Sequence, residues 1–252
     1  MKKHILSRLL TLPAALTLAA LAGTSAQAVL VIFSGSDNLA TTSSPHPNSA
    51  AAAASFDAAV LALGSSSLIN FESAPLGSFT NLTIATGVTL NGTDLNSASQ
   101  TIRNSSGFPS NPTLDGYNTT TAGLQFVEQF GGTLTFSFAT PIQSFGAYFS
   151  GIQTAFFADS VTFSDGSSQS LLIPGPGTSN TVGALSFVGF TDAGKSISSV
   201  TITAGGPLGA DAIGVDDVRY QTVGAVPEPA TALFGVALMG VCAAARRRRG
   251  SV

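Results

Sequence analysis

Several residue types are absent or scarce in this chain of 252 residues, and each scarcity excludes a class of structure or chemistry. Tryptophan is absent, and charged residues make up only 9% of the sequence. Cysteine occurs once, at Cys242, so no intrachain disulfide can form and the fold depends on its hydrophobic core. With one cysteine and two histidines, transition-metal sites are disfavoured, which leaves the oxygen ligands that hard cations such as calcium prefer.

The shortage of histidine also limits catalytic chemistry. Outside the N-terminal segment the only histidine is His46, which lies between two prolines in a stretch expected to be mobile and solvated. A catalytic base there would lack a rigid orienting partner. A glycosidase needs two facing carboxylates, and the spacing of Glu72, Glu128 and the aspartates selects no pair. The sequence therefore predicts that the protein is not an enzyme.

Positive charge is concentrated at the two ends of the chain. Seven of the ten basic residues lie in the first eight and last seven positions. From Val29 to Val226 there are twelve acidic residues and three basic ones, a net charge of −9. Nucleic acids and anionic lipids need clustered lysine and arginine, so neither is expected as a partner of this part of the chain. Divalent cations and neutral polymers remain as candidate partners.

Residues 1–28 have the features of a cleavable secretory signal. Basic residues precede an apolar run, and small residues follow it at the positions that signal peptidase reads: Lys2, Lys3, Arg8, Leu9–Gly23, Ala26 and Ala28. Cleavage after Ala28 would make Val29 the first residue of the mature protein. An uncleaved N-terminal anchor is the alternative, which Pro13 and the short apolar run disfavour.

The C-terminal end has three features in a fixed order. A linker at 222–229 ends in a Pro-Glu-Pro motif, an apolar run at 230–245 follows, and an arginine cluster begins the tail at 246–252: Pro227, Glu228, Pro229, Arg246, Arg247, Arg248 and Arg249. The sixteen apolar residues would span about 24 Å as a helix, which is marginal for a hydrocarbon core of about 30 Å. The arginines would act as a stop-transfer signal and stay in the cytoplasm, which leaves the extended Pro-Glu-Pro outside the membrane.

This tripartite end resembles the PEP-CTERM sorting signal. The resemblance implies recognition by an exosortase, a cysteine transpeptidase-like membrane enzyme of Gram-negative, exopolysaccharide-producing bacteria. It also implies an exported protein that is held transiently in the inner membrane and then reaches the cell surface or the extracellular matrix. A plain single-pass C-terminal anchor is the alternative.

Between the two ends, residues 67–221 are predicted to form an all-β domain. Short segments rich in β-branched and aromatic residues alternate with turn residues: Leu68–Phe71, Gly87–Leu90, Leu124–Val127, Thr133–Phe138, Ile142–Phe149, Val161–Phe163, Gln169–Ile173, Ala184–Phe190, Ile197–Thr203 and Ala212–Tyr220. About ten strands without intervening helices predict an antiparallel, jelly-roll-like β-sandwich. Asp165-Gly166 predicts a hairpin turn. The segment 97–121 is predicted to be a long surface loop.

The preceding segment, 29–66, is predicted to contain a strand and a short helix. The expected elements are a strand at Val29–Phe33, a cap at Asn48 or Ser49, a helix ending at Leu63 before Gly64, and an apolar face of Phe56, Val60 and Leu63. This helix, the following Ile69–Glu72 and the closing strand Ile213–Tyr220 resemble the β-sandwich ectodomains found in front of PEP-CTERM tails. Similar sandwiches occur in carbohydrate-binding modules.

Four carboxylates are candidate calcium ligands because the first and last strands of a sandwich commonly lie together: Glu72, Asp211, Asp216 and Asp217. Strand alternation is expected to direct Asp216 and Asp217 to opposite faces. The alternative is structural: Asp216 accepts hydrogen bonds from backbone donors at the sheet edge, and Asp217 pairs with Arg219.

Phe108 and Tyr117 could form a stacking platform for a sugar; alternatively, Phe108 packs the loop down and Tyr117 is merely a surface residue. The sequence thus predicts a non-enzymatic surface or matrix protein associated with exopolysaccharide or biofilm. A secreted carbohydrate-binding module, with calcium as a possible stabiliser, is the alternative, and a secreted hydrolase is a third hypothesis.

Overall fold

A computed structural model describes residues 29–42, 44–96, 98–105, 115–153, 159–165, 167–176, 183–205 and 211–223. These residues form one helix and thirteen strands. The elements are β1 (Leu30–Asn38), α1 (Pro47–Leu63), β2 (Ser67–Ile69), β3 (Gly77–Phe79), β4 (Asn81–Ala85), β5 (Val88–Thr93), β6 (Gln100–Asn104), β7 (Gln125–Phe130), β8 (Gly132–Ile152), β9 (Ser160–Ser164), β10 (Ser168–Leu172), β11 (Ala184–Asp192), β12 (Ile197–Ala204) and β13 (Ala212–Thr222). The predicted all-β class and the short N-terminal helix are confirmed. The signal segment and the C-terminal tail lie outside the described residues.

Strand β8 joins the two layers of the fold because it is long enough to belong to both. Its first half lies between β5 and β12, and its second half lies between β11 and β13. The sequence predicted two strands here, Thr133–Phe138 and Ile142–Phe149, whereas the structure has one continuous strand. The change of partners occurs around Pro141, which has no N–H to donate but accepts a hydrogen bond from the Val223 amide.

The two layers face each other across a shared aromatic core. The first layer has the order β4-β5-β8-β12-β9-β10, and the second has β1-β11-β8-β13-β7-β6-β3, with β2 also paired to β13. Every strand pair is antiparallel. Phe163 of the first layer stacks on Phe190 of the second with ring centroids 3.8 Å apart. Phe136 and Phe145, which lie on the two halves of β8, are 5.5 Å apart. These contacts form the core of a β-sandwich.

Three strands were missed by the sequence analysis: β3, β4 and β6. They have only three to five residues each, which is too short for a hydrophobic period to stand out. Strand β6 lies inside the segment predicted to be a loop, so the loop prediction for 97–121 is wrong at this point. Gln100 of β6 is buried, and its amide is satisfied by the Gly131 carbonyl at 3.0 Å and the Phe130 N–H at 2.9 Å. The predicted hairpin is present as β9 and β10, with Ser164 opposite Ser168.

Helix α1 packs on the outer face of the second layer. Phe56 is fully buried between Phe33 of β1 and Phe187 of β11, with ring centroids 5.7 and 5.5 Å away. Val60 joins this cluster, whereas Leu63 is 38% exposed, so its predicted place on the buried face is wrong. The helix ends as predicted, with the Gly64 amide donating to the Val60 carbonyl at 3.0 Å. Within the described residues, no helix is long and apolar enough to cross a membrane.

The start of α1 differs from the prediction because another element satisfies its amides. The helix begins at Pro47 with His46 as its N-cap, not with Asn48 or Ser49. The Asp37 carboxylate of β1 accepts hydrogen bonds from the backbone amides of Asn48 and Ser49 at 3.0 and 2.8 Å, and from the Ser49 hydroxyl at 2.7 Å. A carboxylate is favoured at a helix N-terminus, so this contact fixes the helix against β1.

Candidate functional site

A groove of about 590 Å³ lies on the outer face of the second layer, between the start of α1 and the segment 115–124. Residues from several distant parts of the chain line it, among them His46, Tyr117, Thr120, Tyr148, Asp217 and Arg219. Its size falls in the range of ligand-binding clefts. We refer to it as the surface groove.

The segment 115–124 lies close against the sheet because two glycines remove the side chains that would separate them. A Cβ atom on Gly116 would lie 2.1 Å from the backbone nitrogen of Gly214 in β13, and the φ of +86° at Gly116 also favours glycine. The next residue is tied to β8, since the Tyr117 amide donates to the Ser150 hydroxyl and that hydroxyl donates to the Tyr117 carbonyl, both at 2.8 Å. The floor of the surface groove is therefore held by backbone contacts.

Tyr117 is only 2% exposed and packs against Ala40 and Leu185, so both predictions for it, a stacking platform and a surface residue, are wrong. Its partner in the predicted platform, Phe108, lies outside the described residues. The Tyr117 hydroxyl is buried without a hydrogen-bond partner, and burial raises the pKa of this phenol far above its usual value. At Gly116 the chain lies directly against β13, a contact that sequence patterning could not reveal.

Asp216 and Asp217 of β13 both hold the segment at Thr119 and Thr120. Asp216 Oδ2 accepts from the backbone amides of Thr119 and Thr120 at 2.6 and 3.1 Å, and Asp217 Oδ1 accepts from the Thr120 hydroxyl at 2.7 Å. Strand alternation predicted opposite faces for the two aspartates, and this was wrong. A β-bulge between Asp216 and Arg219, with Asp217 at a φ of +47°, breaks the alternation and directs both carboxylates to the same segment.

Asp216 has two oxygens in different surroundings. Oδ2 accepts the hydrogen bonds from Thr119 and Thr120, whereas Oδ1 is buried without a partner. Burial, and then the neighbouring Asp217 charge, raise the pKa of Asp216 to about 7. The structural alternative was that backbone donors satisfy the Asp216 carboxylate. This holds for Oδ2 but not for Oδ1.

Glu72 holds the other end of the same segment. Its Oε1 accepts hydrogen bonds from the Asn118 side chain at 2.9 Å and from the backbone amides of Leu124 and Gln125 at 2.8 and 2.9 Å. Asn118 also donates to the Gln125 carbonyl at 2.7 Å, which closes the segment on itself. The three carboxylates of Glu72, Asp216 and Asp217 thus shape one wall of the surface groove by accepting its N–H and O–H donors.

Asp211, the fourth predicted calcium ligand, lies in a different place, beside Asp159. Burial, and then the adjacent Asp159, raise the pKa of Asp211 to about 8. Within the residues that the structure describes, no three histidine, cysteine, aspartate or glutamate side chains form a group that could hold a metal ion. The four predicted ligands are therefore not gathered into one cluster.

Arg219 does not form the predicted ion pair with the Asp217 carboxylate. Its Nε lies 3.3 Å from Asp57 of α1, and its Nη1 donates to the Asp217 backbone carbonyl at 3.1 Å. The guanidinium lies over the Tyr148 ring at 5.3 Å from the centroid, which places an aromatic and a cationic group together in the surface groove. The partner on α1 could not be predicted because it is 162 residues away in the sequence.

His46 is half-buried at the edge of the surface groove, not the solvated loop residue that the sequence indicated. Its Nδ1 is buried without a hydrogen-bond partner. Two polar atoms of groove-lining residues, the Tyr117 hydroxyl and His46 Nδ1, are therefore unsatisfied. Buried polar groups are ordinarily hydrogen-bonded, so a bound ligand would be expected to engage such atoms.

The match to a known protein family lies in the C-terminal tail and not in the sandwich domain. A family model described as a PEP-CTERM protein-sorting motif matches residues 225–249. The C-terminal end of the chain therefore carries a PEP-CTERM sorting motif. The matched range includes Pro227, Glu228, Pro229 and the four arginines, and it confirms the resemblance predicted from them. No curated protein matches this chain.

The motif indicates how the cell handles this protein. It supports an exported protein with a C-terminal membrane-anchoring tail and an exosortase as its partner. It covers a short part of the chain, so it says nothing of what the sandwich domain binds. The surface groove lies in that domain, and the function of the domain must be argued from the groove.

Proposed function

We propose that this PEP-CTERM protein is a non-enzymatic component of the cell surface or extracellular matrix, and that its sandwich domain associates with exopolysaccharide through the surface groove. On this proposal the producing cell is a Gram-negative bacterium, and the protein contributes to the extracellular layer or biofilm. Signal peptidase removes residues 1–28, and exosortase handles the C-terminal tail.

The observation that carries the proposal is a groove with an aromatic side, two of whose lining residues carry a buried polar atom without a hydrogen-bond partner. The Tyr117 hydroxyl and His46 Nδ1 have no hydrogen-bond partner, and Tyr148 supplies an aromatic ring. A sugar offers several hydroxyl groups that both donate and accept, together with apolar ring faces that pack on aromatic side chains. A groove of about 590 Å³ is large enough for a short stretch of polysaccharide.

Charge favours a neutral glycan over a strongly anionic one. The chain from Val29 to Val226 carries a net charge of −9. The only arginine in the surface groove, Arg219, is already paired with Asp57. An anionic polymer would meet the acidic domain without a cluster of cations to bind it.

Binding without catalysis is favoured by the roles of the carboxylates around the groove. Asp217 and Glu72 accept hydrogen bonds from Thr120 and from the 118–125 segment, so their oxygens already position the wall. A glycosidase would need one of two facing carboxylates as a proton donor and the other free to act on the sugar.

The test is glycan binding by the mature protein isolated from its host, measured on a glycan array and by co-sedimentation with the host exopolysaccharide. Tyr117→Phe removes only the unsatisfied hydroxyl and is expected to weaken binding about fivefold to tenfold, the size of one hydrogen bond. Tyr220→Phe is the matched control, since Tyr220 is another buried tyrosine away from the groove. The proposal fails if no glycan binds, or if both variants bind as the wild type does. Release of reducing sugar during the assay would instead support the hydrolase hypothesis.

A further inference from the structure

Two aspartates outside the surface groove lie at the end of the sandwich where β8 and β12 end and β9 and β13 begin. Asp159 directly precedes β9, and Asp211 directly precedes β13. Asp159 Oδ1 accepts a hydrogen bond from the Gly205 amide, just after β12, at 2.7 Å. Asp211 Oδ2 accepts one from the Gln153 amide, just after β8, at 3.0 Å. Each aspartate lies at the end of one connection, β8–β9 or β12–β13, and accepts a hydrogen bond from the start of the other connection.

The two side chains are buried and in contact with each other. Asp159 is 2% exposed and Asp211 is fully buried, and their carboxyl groups lie within hydrogen-bonding reach. After the two amide contacts, one oxygen of each side chain remains: Asp159 Oδ2 and Asp211 Oδ1. Both are buried, and no N–H or O–H donor of another described residue reaches them, so the contact between the two carboxyl groups needs a proton or a cation between them. These two buried carboxyl oxygens therefore indicate that a positively charged partner is missing.

No side chain supplies that partner. The chain from Val29 to Val226 has three basic residues, and each forms an ion pair elsewhere in the described structure: Arg103 with Glu128, Lys195 with Asp165, and Arg219 with Asp57. A single proton shared by the two carboxyl groups would still leave one buried negative charge. A divalent cation neutralises both charges, and buried charge is tolerated only when it is compensated.

We propose that Asp159 and Asp211 form a binding site for a hard divalent cation, calcium, which joins the two connections at this end of the sandwich. Carboxylate oxygens are the ligands that calcium prefers, and neither histidine nor cysteine is present to select a transition metal. Two carboxylates give weak binding, with dissociation constants on the order of 10⁻⁴ to 10⁻³ M, as in extracellular calcium modules. The site is independent of glycan binding in the surface groove, and it includes only one of the four ligands predicted from the sequence.

The test is thermal unfolding of the mature protein from its host, first with EDTA and then with 10 mM calcium chloride. A cation that binds only the folded state raises Tm, and a rise of roughly 5 °C is expected for this affinity. Asp211→Asn is expected to abolish the rise. Asp216→Asn, which changes a predicted calcium ligand outside this site, is expected to keep it. Sodium chloride at equal ionic strength is expected to give no rise.

Native mass spectrometry of the wild-type protein provides a second measurement that needs no variant. It is expected to detect one bound calcium ion per chain, which is lost in Asp159→Asn. The proposal is overturned if the wild type binds no calcium and its Tm is the same in EDTA and in calcium. It is also overturned if Asp216→Asn, and not Asp211→Asn, removes the calcium response.

Discussion

Asp216 is a fully buried carboxyl group, and its environment links the stability of the sandwich to pH. Its folded-state pKa of about 7 is higher than the value near 3.9 expected in the unfolded chain. The folded state therefore binds more protons between these two values. The contribution of Asp216 to stability is complete below about pH 4 and is lost as the pH rises through 7, by at most about 4 kcal/mol.

Asp216→Asn is expected to remove this dependence, because the amide has the shape of the protonated acid. Thermal unfolding in EDTA from pH 5 to 8 measures it. The Tm of the wild type should fall relative to that of the variant as the pH rises, by up to roughly 10 °C at pH 8. Asp217→Asn should reduce the fall in part, since the charge of Asp217 raises the pKa of Asp216. Parallel Tm profiles for wild type and Asp216→Asn would contradict this account.

The contacts of individual side chains were predicted least well from the sequence. The sequence identified Glu72, Asp216 and Asp217 as residues with a role, but their partners are Thr119, Thr120 and the backbone of the 118–125 segment. These contacts depend on a β-bulge in β13 and on a close approach at Gly116, neither of which leaves a periodic pattern. Tyr117 was assigned to the surface for the same reason.

At the scale of elements, helix α1 is attached to the second layer by a small aromatic cluster. Phe56 contacts Phe33 and Phe187 at centroid distances of 5.7 and 5.5 Å. Space in the sheet is reserved for it, because a Cβ atom on Gly189 would lie 2.9 Å from the Phe56 ring. The helix forms one side of the surface groove, so this cluster also positions His46.

Phe56→Ala is expected to destabilise the protein by about 3 to 5 kcal/mol, the usual cost of removing a buried phenylalanine. Urea unfolding followed by circular dichroism measures the change. Leu61→Ala is the matched control on the same helix, since Leu61 is 77% exposed, and it should cost less than about 0.5 kcal/mol. Equal effects of the two substitutions would mean that α1 is not anchored through Phe56.

Most elements were predicted from the sequence, and three short strands were not. The hairpin of β9 and β10, the helix and the closing strand β13 follow the predicted segments. Strands β3, β4 and β6 were missed because they are short and are stabilised by pairing with strands distant in the sequence or by a neighbouring hairpin strand, which sequence patterning does not show. The helix cap was misplaced because Asp37, on a different element, satisfies the first amides of α1.

At the scale of the whole molecule, the sandwich is held by one continuous aromatic and aliphatic core and by no disulfide. The long strand β8 takes part in both layers and so connects them covalently. The PEP-CTERM motif at 225–249 supports export of this domain.

The central claim is that the protein is exported and sorted through its C-terminal motif, and the intact mass of the protein isolated from its native host tests this most directly. We predict a mass that lacks both the first 28 residues and the arginine cluster Arg246–Arg249, with the C-terminal end near Pro227–Pro229. Deletion of the exosortase should leave the cluster in place. A mature protein that keeps Arg246–Arg249 in the presence of the exosortase would contradict the account.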